Sequence, residues 1–285
     1  MKTMSKREIK FVYVNGEFVP PSEAGVSCFD EGVTHGWAVY EGIRVYDGKV
    51  LHLDGHIDRL YDSAKAAFIK VPLTKSEFRE AVIKTVKANG FRNAHIMPWV
   101  SYGEKGGKPT VVIPARPAGS EMGKEVKAIV SAIRRTGCDS IDPKIKTNSR
   151  LDLCLAGVEA RRAGADYAIM LDKDGFVAEA SMANLFVAKN GKVYTPYTTH
   201  ALAGITRDTL IHALKEKGYP VEERNLTLQD LYVADEILLC GTGAELKVVV
   251  EIDGRVVGEG RTGEISRTAI DWYLQHIKEA GEPLY

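Results

Sequence analysis

The chain has 285 residues, 45% of them hydrophobic and 27% charged, which is a globular composition and excludes a mainly disordered or collagen-like chain. Lys and Arg together number 38, as do Asp and Glu, so the formal net charge is zero. This balance argues against binding to nucleic acid or to an anionic membrane through bulk charge. At this length two domains are expected.

No apolar run approaches the roughly 18 residues that a membrane-spanning helix needs, and residues 1–10 lack the apolar core of a signal peptide. The four cysteines are widely spaced without a Cys-x-x-Cys pair, which argues against a disulfide framework or a zinc site. Cys154 and Cys240 lie in apolar segments, where buried thiols are expected. These features favour a cytoplasmic protein.

Five two-residue turn signals lie between apolar stretches and predict tight hairpins, because Asn-Gly and Asp-Gly pairs supply the positive φ angles that such turns require. In chain order these pairs are Asn15-Gly16, Asp47-Gly48, Asp174-Gly175, Asn190-Gly191 and Asp253-Gly254. Five hairpins indicate much antiparallel sheet and make a doubly wound nucleotide-binding fold improbable, since parallel strands need helical crossovers.

The spacing of apolar residues and the glycines that follow them predict helices over 54–69, 75–89, 150–163, 206–217 and 264–280. The second of these follows Thr74, and Glu77 three residues later completes a capping box. The apolar face of the third is expected to consist of Leu151, Cys154, Leu155 and Val158.

A turn-rich stretch from Pro114 to Ser120 has the composition of a linker. It predicts a small α+β domain over residues 1–116, a linker over 117–123 and a larger domain over 124–285. A cleft between two domains is a common location for a ligand, so the site is expected there.

Two candidate metal motifs are incomplete. The stretch 172–175 is similar to the start of a calcium loop, but Val177 replaces the required glycine and Ala183 the closing glutamate. His52 and His56 are four residues apart, yet the helix is expected to begin between them, which spoils the ligand geometry. No bound metal is expected.

A series of motifs indicates a protein family more specifically than any of its residues does alone. Taken singly, Arg59, Lys146 and Glu179 are ordinary charged residues of a helix, a loop and a strand. They belong to a series of motifs that runs in order over nearly the whole chain: His56-Ile-Asp-Arg-Leu60, Lys146 with its following helix, Glu159-Ala-Arg-Arg162, Ala178-Glu-Ala180 with Asn184-Leu-Phe186, Gly204-Ile-Thr-Arg-Asp208 and Cys240-Gly-Thr-Gly243. This series resembles the class IV aminotransferases, which include branched-chain aminotransferases, D-amino-acid transaminases, (R)-amine transaminases and aminodeoxychorismate lyase.

The resemblance implies an α+β fold of fold-type IV, with a small antiparallel domain and a larger barrel-like domain, and pyridoxal 5′-phosphate as the cofactor. It implies that Lys146 is the catalytic Schiff-base lysine, which also shuttles a proton, and that Glu179 holds the proton of the pyridine nitrogen. Lys144 is the internal competitor for the lysine role. The other cofactor contacts implied are Arg59, Ile205 and Thr206 at a helix start, Gly241 and Thr242. The substrate contacts implied are His35, Tyr40, Arg44, Trp99 and Gly243.

The chain departs from the branched-chain pattern in two places. His95 and Met97 stand where those enzymes carry Tyr-x-Arg, and the roles of both residues are left open. Arg150 stands where those enzymes place a tyrosine near the phenolic oxygen of the cofactor. We hypothesise that the Arg150 guanidinium lies near that oxygen or near the substrate carboxylate; the alternative is a solvent-facing helix cap.

The expected activity is transfer of an amino group between a branched-chain-like aliphatic amino acid and a 2-oxo acid such as 2-oxoglutarate or pyruvate. The resemblance also implies a homodimer, with larger assemblies left open. Three alternatives stay open: a D-amino-acid or (R)-amine transaminase, an aminodeoxychorismate-lyase-type enzyme that cleaves C–O or C–C bonds, and a cofactor-binding protein without turnover. No nucleic-acid or membrane partner is expected.

Overall fold

The computed structural model describes residues 8–285 and divides into two compact units. The first unit comprises the chain up to Gly119, together with Ile145–Ser149 and Ile277–Tyr285. The second comprises Ser120–Lys144 and Arg150–His276. Two short segments that follow the predicted linker in the sequence are therefore part of the first unit, and one of them contains Lys146.

The first half of the described chain forms nine strands and three helices. In order they are β1 Val12–Val14, β2 Glu17–Val19, α1 Glu31–Thr34, β3 Ala38–Tyr40, β4 Ile43–Tyr46, β5 Lys49–Val50, α2 Leu53–Ala66, α3 Lys75–Asn89, β6 Ala94–Ile96, β7 Trp99–Ser101, β8 Val111–Ile113 and β9 Ala115–Pro117.

The rest of the described chain forms ten strands and four helices. They are β10 Lys124–Val130, α4 Leu151–Arg162, β11 Tyr167–Leu171, β12 Val177–Ala180, β13 Asn184–Lys189, β14 Lys192–Thr195, α5 Ile205–Glu216, β15 Val221–Glu223, α6 Leu228–Tyr232, β16 Glu236–Gly241, β17 Glu245–Ile252, β18 Arg255–Val256, α7 Glu264–Ala280 and β19 Glu282–Pro283.

The first unit is built on two antiparallel five-stranded sheets, with the strand orders β2-β1-β8-β7-β3 and β19-β5-β4-β6-β9. Residues of both sheets and of α2 and α3 share one apolar core, in which Phe78, Leu60 and Ile96 are completely buried. Helix α3 begins with the predicted capping box, in which Glu77 and Thr74 exchange hydrogen bonds. Helix α2 ends at Ala66, and Phe68 two residues later has a positive φ of 56° that is incompatible with a longer helix.

The second unit is built on one nine-stranded sheet. Its main path is β12-β11-β10-β17-β16-β13-β14-β15, and β18 pairs with β17. The sheet is mixed, because β10 runs parallel to β11 and β17, and β14 runs parallel to β15. Its apolar core includes Ile169, Leu185 and Leu239, which are completely buried.

All five predicted hairpins are confirmed. The antiparallel pairs β1–β2, β4–β5, β11–β12, β13–β14 and β17–β18 are each joined at a predicted turn signal. The first turn shows the physical reason, since Asn15 and Gly16 have φ angles of 49° and 106°.

The apolar face predicted for α4 is wrong. Leu151 is 70% exposed and Leu155 is 44% exposed, whereas Leu153, Ala156 and Ala160 are buried against residues of β11. The small alanine side chains allow the helix to lie close to the sheet, which a ranking by hydrophobic size does not anticipate. Cys154 is accordingly exposed, against expectation. Cys240 is buried as predicted, and burial raises the pKa of its thiol to about 12.

Across residues 8–285 no helix has both the length and the hydropathy required to cross a membrane.

Candidate active site

Lys146 lies in a short segment of the first unit that runs beside β3. Its backbone N–H donates to Oγ of Ser63 on α2 at 3.1 Å, and its carbonyl accepts from the N–H of Tyr40 at 3.0 Å. Thr147, the next residue, forms an isolated antiparallel bridge with Val39. Because the backbone is held at Lys146 and at its neighbour, the position of the Lys146 Cα, from which the side chain extends, is fixed.

The amine of Lys146 lies over the ring of Tyr40. The distance from Nζ to the ring centroid is 4.7 Å, within the range of a cation–π contact. The competing Lys144 is exposed in a turn of the second unit, where its backbone N–H donates to Asp142. Of the two lysines, only Lys146 belongs to the unit that carries the predicted residues Tyr40 and Arg59.

Arg59 is held by a buried carboxylate. Its Nε donates to Oε1 of Glu41 at 2.6 Å, and its Nη2 donates to Oε2 at 2.9 Å. Nδ1 of His56, one turn earlier on α2, lies 2.8 Å from the same Oε2. Glu41 and His56 are 0% and 1% exposed, so the carboxylate and the imidazole that contacts it are both buried.

The protonation of the cluster follows from these contacts. Burial acts to raise the pKa of the Glu41 carboxyl, but the contacts with His56 and Arg59 outweigh it and hold that pKa well below its ordinary value. Burial lowers the pKa of His56, and Arg59 and Lys146 act in the same direction against the attraction of Glu41. Glu41 is therefore ionised, and a neutral His56 donates its Nδ1–H to it.

The predicted substrate residues lie on neighbouring elements of the first unit. Tyr40 is opposite Trp99 in the register of β3 and β7. Arg44, on β4, is 5% exposed and donates from Nη2 to the carbonyl of Gly119 at 2.8 Å. His35 is instead 70% exposed just after α1, where its Nδ1 lies 2.7 Å from Glu31.

Glu179 lies on β12 of the second unit and is 4% exposed. Its Oε1 accepts from Nε of Arg135 at 2.6 Å. Its Oε2 accepts from the backbone N–H of Leu202 at 3.2 Å and from Nδ2 of Asn184 at 3.4 Å. The carboxylate is therefore fixed on both oxygens by three donors.

Arg135 was not predicted from the sequence to be a site residue. Its guanidinium bridges two acids, because Nη1 also donates to Oδ2 of Asp152 at 2.7 Å. Burial acts to lower the pKa of Arg135, but the charges of Glu179 and Asp152 raise it. The available signal was a pair of arginines, residues 134–135, soon after the apolar residues 128–130. Nothing local in the sequence links them to Glu179, 44 residues further on.

The N-terminus of α5 has the properties of an anion site. Gly204 is its N-cap and supplies no side chain to the first N–H groups, and Thr206 is 2% exposed in the first turn. A Cβ at position 204 would overlap Oδ1 of Asn184, whose Nδ2 donates to the carbonyl of Leu202. Glycine is therefore required by close approach, and Ile205 and Thr206 follow it as predicted.

The remaining predicted residues of the second unit lie at the turn between β16 and β17 and at the start of α4. Gly241 ends β16, and Thr242 and Gly243 form the turn to β17. Arg150 is the N-cap residue of α4, is 8% exposed and makes no capping hydrogen bond with its side chain. The solvent-facing alternative for Arg150 is therefore wrong, and its contact with a cofactor or substrate stays a prediction.

Comparison with known proteins indicates the same family that the sequence motifs resemble. A family model for the class IV amino-transferases matches residues 38–252. A putative branched-chain-amino-acid aminotransferase of Methanocaldococcus jannaschii is 44% identical over 266 residues, which is 90% of this chain and 92% of the relative.

Solved structures of branched-chain aminotransferases are similar to this chain over nearly its whole length. The T.th. branched-chain amino acid aminotransferase, complexed with N-(5′-phosphopyridoxyl)-L-glutamate, is similar with a TM-score of 0.93 at 31% identity, covering 97% of this chain and 99% of that one. The branched-chain aminotransferase of Thermoproteus uzoniensis, solved with norvaline, has a TM-score of 0.90 at 33% identity and covers 96% and 99%.

Proposed function

The chain belongs to the class IV aminotransferase family, and we propose that it moves amino groups between branched-chain, aliphatic L-amino acids and a 2-oxo acid such as 2-oxoglutarate or pyruvate. It is a pyridoxal phosphate-dependent transaminase. The substrate proposal is supported by relatives that are named for branched-chain amino acids and cover nearly the whole chain. The observation that carries the site proposal is the fixed backbone of Lys146, which directs its amine over Tyr40.

The donor set fits the cofactor. A phosphate dianion needs fixed cationic and N–H donors, which Arg59 and the N-terminus of α5 can supply. A protonated pyridine nitrogen needs a carboxylate, and Glu179 is a buried carboxylate fixed on both oxygens. Pyridoxal phosphate, when bound, supplies a ring that takes up the negative charge developing at the substrate α-carbon.

We assign the proton-transfer role to Lys146. Its Nζ would hold the cofactor, and the free amine can accept and return a proton at the same atom. The ring of Tyr40 limits where the amine can move, since Nζ lies 4.7 Å from its centroid. Backbone hydrogen bonds to Ser63 and Tyr40 fix the position of the Lys146 main chain.

Glu179 is assigned to the pyridine nitrogen. The guanidinium of Arg135 stabilises the negative charge of Glu179 inside the protein, where an isolated carboxylate would be costly. The ionised carboxylate can then hold a proton on the ring nitrogen. Arg59, Ile205, Thr206, Gly241 and Thr242 are assigned to the phosphate group, and Arg150 to the phenolic oxygen or the substrate carboxylate. His35, Tyr40, Arg44, Trp99 and Gly243 are assigned to the substrate.

We further propose a homodimer in the cytoplasm. All four cysteines, three exposed and one buried, are free thiols, which is consistent with a reducing compartment.

Borohydride reduction of the holoenzyme, followed by peptide mapping, tests the cofactor assignment. The label is expected on the peptide that contains Lys146, and Lys146→Gln should abolish labelling while the control Lys144→Gln retains it. A label on Lys144, or no label on a folded holoenzyme, would overturn the assignment.

Donor and acceptor assays test the reaction. We expect L-leucine or L-valine to donate an amino group to 2-oxoglutarate or pyruvate. Preferential use of D-alanine or of an (R)-amine, or release of pyruvate from aminodeoxychorismate, would replace the proposed substrate by one of the alternatives. A protein that binds the cofactor but turns over none of these substrates would refute the proposed activity.

A further inference from the structure

The turn between β16 and β17 ends in an unusual backbone conformation. Gly241 is opposite Glu245 in the register of these strands, so the turn consists of residues 242–244. Glu245 has a φ of 60°, in the left-handed region that residues other than Gly, Asn and Asp seldom adopt. Four of the five predicted hairpins have a non-glycine residue at positive φ, and in each it is Asn or Asp. Contacts outside the turn must therefore hold Glu245 in this conformation.

The carboxylate of Glu245 supplies such contacts. Glu245 is 2% exposed, and its Oε2 accepts from the backbone N–H of Glu121 at 2.7 Å and from Oγ of Ser120 at 3.1 Å. Hydrogen bonds to a carboxylate are stronger than those between neutral groups, and a buried carboxylate is costly without them. The end of the turn is therefore bound to two residues that lie 124 and 125 positions earlier in the chain.

A second side chain of β17 holds the same residue. Lys247 is 4% exposed, and its Nζ donates to the carbonyl of Glu121 at 2.7 Å. The backbone N–H of Gly123 donates to the carbonyl of Leu246 at 2.9 Å. Burial lowers the pKa of Lys247, and the charges of two neighbouring glutamates oppose that effect. Residues 120–123, the last part of the predicted linker, are thus fixed along the start of β17.

The turn that Glu245 closes contains residues that are assigned above to ligand binding. Thr242 and, at the end of β16, Gly241 are assigned to the phosphate group, and Gly243 to the substrate. A turn that gives up backbone freedom when it binds an anion loses affinity, whereas a turn that is fixed beforehand does not. The conformation at the end of this turn therefore affects how strongly the phosphate is bound.

We propose that Glu245 is a positioning residue, which holds the turn of residues 242–244 in its phosphate-binding conformation by anchoring it to Ser120 and Glu121. This inference rests on the proposed aminotransferase function and adds to it a residue that acts through the turn. Lys247 supports the same anchor, because it fixes the peptide group on the other side of Glu121.

Glu245→Gln tests the proposal, with Glu251→Gln as the control, because Glu251 lies on the same strand and pairs with the exposed Lys127. The amide keeps the size of the side chain but removes its charge. We expect the Kd of the full-length protein, freed of cofactor, for pyridoxal phosphate to rise about 10-fold. The Kd for pyridoxal, which lacks the phosphate, should stay within about twofold of wild type, as should both values for Glu251→Gln.

Ser120→Ala tests the same contact from the other side and keeps the buried carboxylate. It should raise the Kd for pyridoxal phosphate about threefold and leave the Kd for pyridoxal unchanged. In the Glu245→Gln background this substitution should have a smaller effect, because the contact is already weakened. Additive effects would show that Ser120 does not act through Glu245 and would overturn the proposal. If Glu245→Gln does not fold, Ser120→Ala alone decides, and an unchanged Kd for pyridoxal phosphate overturns the proposal.

Hydrogen exchange separates positioning from general stability. In folded Glu245→Gln, exchange should be faster in the peptides that contain residues 120–123 and 241–246 and unchanged in the other strands of the sheet. An equal loss of affinity for pyridoxal phosphate and pyridoxal, or an unchanged affinity for both, would overturn the proposal. A wild-type protein that does not bind pyridoxal phosphate would instead refute the proposed function.

Discussion

Glu41 and Arg59 form a two-point contact inside the first unit, with Nε to Oε1 at 2.6 Å and Nη2 to Oε2 at 2.9 Å. The carboxylate is completely buried and is also contacted by His56. An arginine held at two nitrogens has lost its rotamer freedom on folding, so it does not lose it again when it binds a ligand. Glu41 is therefore a positioning residue for the predicted phosphate ligand Arg59.

Glu41→Gln should weaken both cofactor binding and stability. The amide can accept only at its oxygen and leaves the Arg59 charge uncompensated, so we expect the free energy of unfolding to fall by about 3 kcal/mol. The Kd for pyridoxal phosphate should rise about 10-fold or more. Urea unfolding and a fluorescence titration measure the two effects, with the exposed Glu104→Gln as the control. A loss of stability at unchanged cofactor affinity would limit Glu41 to a structural role.

Acid should destabilise the first unit through His95. In the folded protein burial, Arg116, Arg44, Lys146 and His56 lower its pKa to about 4, whereas an unfolded histidine titrates near 6.5. Between these two values the unfolded state therefore binds more protons than the folded state. His95 leaves the free energy of unfolding unchanged above about pH 6.5 and lowers it as the pH falls towards 4.

His95→Gln should flatten this dependence. The free energy of unfolding, measured in urea at pH 7, 5.5 and 4, is expected to fall less steeply with acid in His95→Gln than in wild type. Arg92→Gln removes a nearby surface charge that does not titrate in this range and should keep the wild-type slope. Identical slopes in all three proteins would show that the pKa of His95 does not change on folding.

Local signals predicted much of this molecule. Asn15-Gly16 and the other turn pairs identified every predicted hairpin. In four of the five pairs both residues have a positive φ, as a tight turn requires, whereas in Asp174-Gly175 only the glycine does. The capping box at Thr74 likewise fixed the start of α3. The order of the motifs indicated the family, which the comparisons confirm.

Features that depend on distant pairing were not predictable. The alignment of His95 with Arg116 follows from the register of β6 and β9, and the contact of Arg135 with Glu179 joins residues 44 positions apart. The buried face of α4 depends on how closely its alanines approach β11, so the larger Leu151 was misleading. The attachment of residues 145–149 to β3 depends on the bridge of Thr147 to Val39 and on hydrogen bonds with Tyr40 and Ala38, residues more than 100 positions earlier in the chain.

Arg135→Lys should fail to replace the bridging arginine. The guanidinium donates from Nε to Glu179 and from Nη1 to Asp152, and one ammonium group cannot reproduce this fork. Arg135→Met should reduce the free energy of unfolding by about 3–5 kcal/mol, because the buried Glu179 and the half-buried Asp152 both lose their counter-ion. Arg135→Lys is expected to lie between Arg135→Met and wild type.

A double-mutant cycle with Asp152→Asn checks that prediction. Removing the second acid should reduce the loss caused by Arg135→Met, since only Glu179 is then left unpaired. Additive losses would show that Arg135 and Asp152 do not interact energetically.

Gly204→Ala should damage the start of α5 through a specific collision. Gly204 has an ordinary φ of −77°, so alanine causes no backbone strain, but its Cβ would overlap Oδ1 of Asn184. We expect a loss of about 1–3 kcal/mol in unfolding free energy and weaker binding of pyridoxal phosphate. Asn184→Ala removes the colliding atom, so Gly204→Ala should cost much less stability in that background. A cycle measured by urea unfolding would reveal this coupling, and an equal cost of Gly204→Ala in both backgrounds would contradict the steric explanation.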